Sequence, residues 1–160
     1  MLKKNKLIIL ILLSLVMGCS PSAEGLKQAG ESLEIYPDYT SVVVPPNIAP
    51  LNFRVLNEGD LFVAEISNNQ GRCISVKSRD GNMVFPMKGW KKLLDEGRGG
   101  TLTISVIRKN KGKGWEALPE AENTIANEEI DSYIAFRKIP PANIVWAELG
   151  IYQRSLESFE

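Results

Sequence analysis

Histidine is absent from all 160 residues. Its absence excludes histidine-based catalytic triads, histidine-ligated metal sites and c-type haem, which needs a CxxCH motif. The usual general base at neutral pH goes with it. Cysteine is almost as scarce, with Cys19 and Cys73 the two present. Nor is there an excess of charge: 19 basic and 19 acidic residues balance to zero, so the electrostatic footprint of a nucleic-acid binder is missing. No paired-carboxylate arrangement can be identified, which leaves glycosidase chemistry without support. The chain is therefore expected not to be an enzyme and to need no cofactor and no metal.

What is present begins at the N-terminus, MLKKNKLIILILLSLVMGCS. Lys3, Lys4 and Lys6 form a positive n-region, and Leu7 to Met17 is an apolar run broken only by Ser14. That run is too short to span a bilayer, and its flanks are those of a cleaved signal. Val16-Met17-Gly18-Cys19 resembles the lipobox of bacterial lipoproteins, in which the cysteine thiol receives diacylglycerol. Val16 stands where leucine is commoner. Residues 1–18 are thus expected to be a signal peptide and Cys19 the lipidated first residue of the mature chain. Several acyl chains make such an anchor stable, each buried methylene contributing about 0.8 kcal/mol. Removing the three signal-peptide lysines from a balanced chain leaves a net charge of −3 on 142 residues, enough for one domain.

Residues 19–32 are small, polar and rich in Gly and Ser, and are expected to be a flexible tether. Prolines at 45, 46 and 50 then allow extended chain but no central strand. From Leu51 the pattern is that of a β-meander: alternating stretches at 51–56, 61–67, 72–78 and 101–109, with turns at Asn57–Asp60 and Asn68–Gly71. Asp80-Gly81 carries the signature of a type I′ hairpin turn. In the stretch RCISV, Cys73 is expected to be a buried thiol. The period changes at Met87, Trp90, Leu93 and Leu94, which line one face of a short helix capped by Gly97. Short strands follow at 115–118 and 130–139. About seven strands with turn signals every eight to twelve residues predict a mostly β domain over 33–139. The expected form is an immunoglobulin- or fibronectin-like β-sandwich, with Phe53, Val55, Val63, Ile104, Val106 and Ile134 in one core. Residues 140–160 read as an amphipathic, helical C-terminal tail.

Three phrases occur together: YPDYTSVVVPPNIAPLNFRV (36–55), MKGWKKLL (87–94), and IDSYIAFRKIPP with WAELGIYQRSLESF (130–141 and 146–159). They resemble the N-terminal domain of a family of Gram-negative lipoproteins with a TolB-like β-propeller, some of whose members are named cytochrome c biosynthesis protein. In that family the LGIYQR segment leads to a CxxCH stretch and then the propeller. Both are absent from this chain, which ends at Glu160, so no haem role carries over. The resemblance implies a lipid-anchored, periplasm-facing accessory module of the outer membrane, with the next domain or an envelope protein as partner.

Two surfaces are candidates for binding. The first is the C-terminal stripe Trp146, Leu149, Tyr152, Leu156 and Phe159, spaced by three or four residues, which carries more apolar surface than a free terminus should. The second is the glycine-rich tip around Arg108, Lys111 and Lys113, followed by Trp115, which could contact a glycan or a polyanion. The same tip also reads as a solvated turn protecting a sheet edge. The acidic stretch from Glu116 to Asp131 lacks calcium-loop spacing and is expected to be a solvated connection. Gly97-Arg98-Gly99-Gly100 follows a helix, the reverse of a phosphate-binding loop.

Metabolic labelling with a palmitate analogue should mark the wild-type chain and spare Cys19→Ala. Equal labelling of the two would remove the lipoprotein reading.

Overall fold

A computed structural model describes residues 23, 25–138 and 150–159; the signal-peptide and lipidation segments lie outside these residues. The chain is mostly β. Its elements are β1 (Lys27–Gln28), β2 (Ile35–Tyr36), β3 (Val43–Val44), β4 (Phe53–Val55), β5 (Leu61–Asn68), β6 (Cys73–Ser78), β7 (Asn82–Met83), helix α1 (Met87–Glu96), β8 (Thr101–Lys109), β9 (Trp115–Ala117), β10 (Ala121–Ile125), β11 (Tyr133–Lys138) and β12 (Gly150–Ser155).

The strand with the plainest alternation in the sequence, β8, is the middle of the large sheet. One side of it pairs antiparallel with β5, from Leu61↔Lys109 to Asn68↔Leu102. Its other side is shared, β9 taking Ile107 to Lys109 and β10 taking Thr101 to Ile104. Strand β6 continues the sheet beyond β5. Two short strands border it in parallel, β1 beside β9 and β3 beside β10. A three-stranded sheet, β2-β4-β7, forms part of the second layer.

Period-two alternation puts Phe62, Ala64 and Ile66 of β5 and Leu102, Ile104 and Val106 of β8 on the inner face. They pack there with Phe53, Val55 and Met83 of the small sheet and with Trp90, Leu93 and Leu94 of α1. Trp90 is fully buried, and its indole N–H donates to the Ile48 carbonyl at 2.9 Å. The two-layer arrangement is compatible with the expected sandwich, with the helix completing the second layer.

Several local expectations are corrected. The tether is shorter than 19–32, because Lys27 and Gln28 pair with Glu116 and Ala117. The Ala29 amide also donates to the Ala117 carbonyl at 2.7 Å. Asp80-Gly81 is not a hairpin turn: β6 belongs to the large sheet and β7 to the small one, so this turn carries the chain between layers. Gly81 alone takes positive φ there (81°), and a Cβ on it would lie 2.8 Å from the Val55 carbonyl oxygen. Asp80 fixes the turn by accepting from the Ser78 hydroxyl and the Asn82 amide and side chain, which lower its pKa to about 2.

Gly97 ends α1 through its amide, which donates to the Leu93 and Leu94 carbonyls, but its φ is −100°. Close approach requires glycine here, since a Cβ would meet Ile125 at 2.7 Å. Val63 lies on the outer face in a second cluster with Ile107 and Ala117. Cys73 is exposed, because Ile74 and Val76 take the inward positions of β6. Ala121–Ile125, expected to be connection, is a strand that buries Ala121, Asn123 and Ile125.

Ile104 is completely buried, so Ile104→Ala should cost about 2–5 kcal/mol in denaturant unfolding. Lys111→Ala, on an exposed turn, should change stability by less than about 0.5 kcal/mol.

Candidate functional site

Beyond the sandwich stands a two-stranded ribbon. β11 and β12 pair antiparallel from Tyr133↔Ser155 to Lys138↔Gly150, and among the described residues neither pairs with another strand. The expected helix is therefore corrected over its described part: Gly150–Ser155 is strand. Ile151 and Tyr152 are β-branched and aromatic, residues that suit a pleated ribbon. β12 ends at Ser155, so Leu156 and Phe159 follow it outside regular structure and the expected helical stripe through Tyr152, Leu156 and Phe159 is not formed. Trp146 and Leu149 lie outside the described residues.

Directly opposed residues share a face, so Ile134, Phe136 and Tyr152 occupy one side of the ribbon and Tyr133, Ala135 and Ile151 the other. Phe136 and Tyr152 stack across the strands, ring centroids 5.9 Å apart. Ile134, expected in the core, is instead 48% exposed, and Ile151 is 85% exposed. Both faces are thus apolar and open. Arg137 and Arg154, also exposed, add positive charge.

Polar contacts hold the foot of the ribbon against the domain. The Leu156 amide donates to the Ser132 carbonyl at 2.9 Å, and its carbonyl accepts from the Ala49 amide at 2.7 Å. The Asn47 side-chain amide donates to the Ile130 carbonyl at 2.8 Å and to Glu157 Oε1 at 3.0 Å, while its Oδ1 accepts from the Ile130 amide. Ser132 donates its hydroxyl proton to the same Glu157 oxygen at 2.7 Å. Leu156 and Glu157 are half-buried there, whereas Phe159 is exposed. An open cleft of about 740 Å³ separates this foot from α1, with Lys88, Lys91 and Lys92 on its helix side.

The second surface lies at the other end of β8. Lys111 and Lys113 are exposed on the tip between β8 and β9, and Lys109 is exposed beside them. Arg108 does not join them. It is buried, with Nη1 2.5 Å from Glu31 and 2.9 Å from the Glu58 carbonyl, and Nη2 3.2 Å from Glu116. That network removes Arg108 from ligand contact and makes it a clamp between the tip and the loop before β5. Trp115 is half-buried against the Val63, Ile107 and Ala117 cluster. It is a packed side chain with one open border, not a free platform.

Among the described residues no group of three or more acidic or cysteine side chains could hold a metal ion. No helix among them is long and apolar enough to cross a membrane. Tyr133 and Phe136 were not singled out in the sequence, and Ile134 was placed in the core. The signal they shared was the run YIAFRK, which lacks the polar alternation of a half-buried strand. No protein-family model matches the chain, and no curated protein or solved structure is significantly similar to it.

Hydrogen bonds from Ser132, then Asn47, hold the Glu157 carboxyl below the usual carboxylate range. A depressed folded pKa stabilises the docked foot at neutral pH. The contribution is lost as pH falls below the ordinary glutamate value of about 4.3 and through the folded pKa. Amide exchange at Leu156 should therefore accelerate on acidification, and Ser132→Ala should weaken that dependence. An exchange rate indifferent to pH, after correction for intrinsic chemistry, would contradict it.

Proposed function

We propose that this chain is a non-enzymatic, lipid-anchored module of the bacterial envelope, facing the periplasm from the outer membrane. Its role is to hold another protein, either an envelope partner or the propeller domain of the TolB-like lipoproteins it resembles. The observation that carries this reading is the ribbon, with exposed apolar side chains on both faces and, among the described residues, no strand paired to either edge. A two-stranded ribbon alone is marginally stable in water. Free edges with exposed aromatic and β-branched side chains also accept a further strand readily.

Magnitudes set what kind of partner suits it. Tyr133, Ile134, Phe136, Ile151 and Tyr152 would each contribute at most about 1.5–3 kcal/mol on full burial. Association costs roughly 4–15 kcal/mol. Covering one face yields at most about 5–9 kcal/mol, comparable with that cost, so a partner that wraps the ribbon or also pairs with its edge suits it better. The alternative reading is a glycan- or polyanion-binding surface module using Lys111, Lys113 and Trp115. Its support is the exposure of the two lysines, and it loses Arg108 to the ion-pair network.

A photo-crosslinking residue at Ile151 should give a discrete adduct in intact envelopes, and one at Lys92 should give none. Phe136→Asp should abolish the adduct while leaving the melting temperature of the domain unchanged. Equal crosslinking from both positions would overturn the interface. Glycan retention that is lost with Trp115→Ala would favour the alternative.

A further inference from the structure

We infer that the pole of the sandwich bearing Lys109, Lys111, Lys113 and Trp115 rests against the anionic phospholipid headgroups of the membrane that anchors the chain. The inference rests on Cys19 being the anchored residue. It follows from where the fold begins. A tether running to residue 32 would let the domain float some 40 Å or more from its lipid. The order starts far earlier, however. Leu26 and Ala23 pack on the outer face of the large sheet against Val63, Ile107, Ala117 and Trp115, and the Leu26 amide donates to the Ala23 carbonyl at 3.3 Å. Ala23 is four positions after Cys19, and four such steps span no more than about 14 Å.

Strand direction decides which pole this brings down. β1 runs parallel to β9 with Lys27 level with Glu116, and Glu116 pairs with Arg108, next to the Lys109↔Trp115 pair. The chain therefore enters beside the lysine tip. The foot of the ribbon lies near the other end, where β10 runs out past Thr124↔Thr101 and beside β3. The nine residues of β8 put roughly 27 Å between the two ends.

The charges at the entry pole are mixed, and their partners matter. Arg108 holds Glu31 and Glu116. Asp60 accepts from the Lys111 backbone amide at 2.6 Å, and Asp80 is held by Ser78 and Asn82. Glu31, Glu58, Asp60 and Asp80 are exposed, as are Lys27, Arg79, Lys109, Lys111 and Lys113, so the net positive charge is confined to the tip. The tip itself, 109–113, carries three lysines and no acid. Each lysine brought to an anionic surface favours that orientation by about five-fold. The effect reaches about one Debye length, ~8 Å at physiological salt, a distance the short tether enforces. Trp115 beside them is the residue type that settles at headgroup depth.

Lysine footprinting tests this orientation. The mature chain, Cys19 to Glu160 with Cys73→Ser, is coupled through Cys19 to a maleimide phospholipid in vesicles. The result then does not depend on cellular acylation, which palmitate labelling tests separately. On vesicles containing phosphatidylglycerol, a water-soluble acetylating reagent should modify Lys109, Lys111 and Lys113 several-fold more slowly than in the free chain. Lys88, Lys91 and Lys92 on α1 should be unaffected. Salt at 1 M, where the Debye length is ~3 Å, or the pair Lys111→Glu and Lys113→Glu, should restore reactivity at Lys109. Tip lysines as reactive as in solution, protection on α1 instead, or equal protection on phosphatidylcholine alone would overturn the inference.

Discussion

The antiparallel pairing of β5 with β8 is the constraint from which the rest of the domain follows. Eight residue pairs in continuous register fix which side chains of both strands face inward, and a slip by one residue would exchange the two faces entirely. With that register, Phe62, Ala64 and Ile66 meet Leu102, Ile104 and Val106 under the small sheet and α1. Val63 and Ile107 are forced outward, where they need a separate cover. Ala23, Leu26 and Trp115 provide it, so the docking of these side chains is a consequence of the same register. Asn68, at the end of β5, ties this sheet to the helix. Its amide donates to the Leu93 carbonyl at 2.8 Å, and its Oδ1 accepts from the Gln70 and Arg72 amides.

Legibility in the sequence tracked how cleanly one face separated from the other. TLTISVIRK alternates without exception over its first six residues, and its strand spans the stretch read from it. MKGWKKLL carries one apolar stripe, and α1 buries Trp90, Leu93 and Leu94 along it. Cys73 misled because RCISV offers two apolar phases. The phase that wins is the one whose Ile74 and Val76 oppose Ile66 and Ala64 across β5. Strand β10 was hidden by Asn123, a buried polar residue in the middle of its inward row. Its Oδ1 accepts the Val42 amide at 2.9 Å, joining the border strand to the sheet. No periodicity rule anticipates a polar side chain used in that way.

The ribbon was concealed for a different reason. Its first strand lies inside the stretch 130–139 read as strand, whereas its second, Gly150–Ser155, follows after 11 intervening residues and is too short to show a period of its own. A short apolar run does not distinguish strand from helix, and the spacing of Tyr152, Leu156 and Phe159 fits a helix by count. Pairing decides the matter: Tyr152 opposes Phe136, and Ile151 opposes Arg137. These partners lie some fifteen positions earlier, beyond any local pattern. The apolar surplus of the C-terminal segment and the strand within 130–139 were both visible, but the pairing that joins them was not.

The two candidate surfaces sit at opposite ends of β8, and different forces act at each. At the lysine tip the buried Arg108 network joins Glu31, Glu116 and the Glu58 carbonyl. Glu31 is exposed and Glu116 half-buried, so this network anchors the base of the tip at Arg108 and leaves the lysines beyond it free for long-range, salt-sensitive contact with a charged surface. At the far end the contacts that hold the ribbon, among the described residues, are at its foot, from Asn47, Ser132 and the backbone around Leu156. Its exposed side chains gain free energy when water is removed from them, a short-range force that requires close fit to a partner. In the proposed orientation the lysine tip faces the membrane and the foot of the ribbon lies toward the opposite end of β8, the side on which a partner would have to approach.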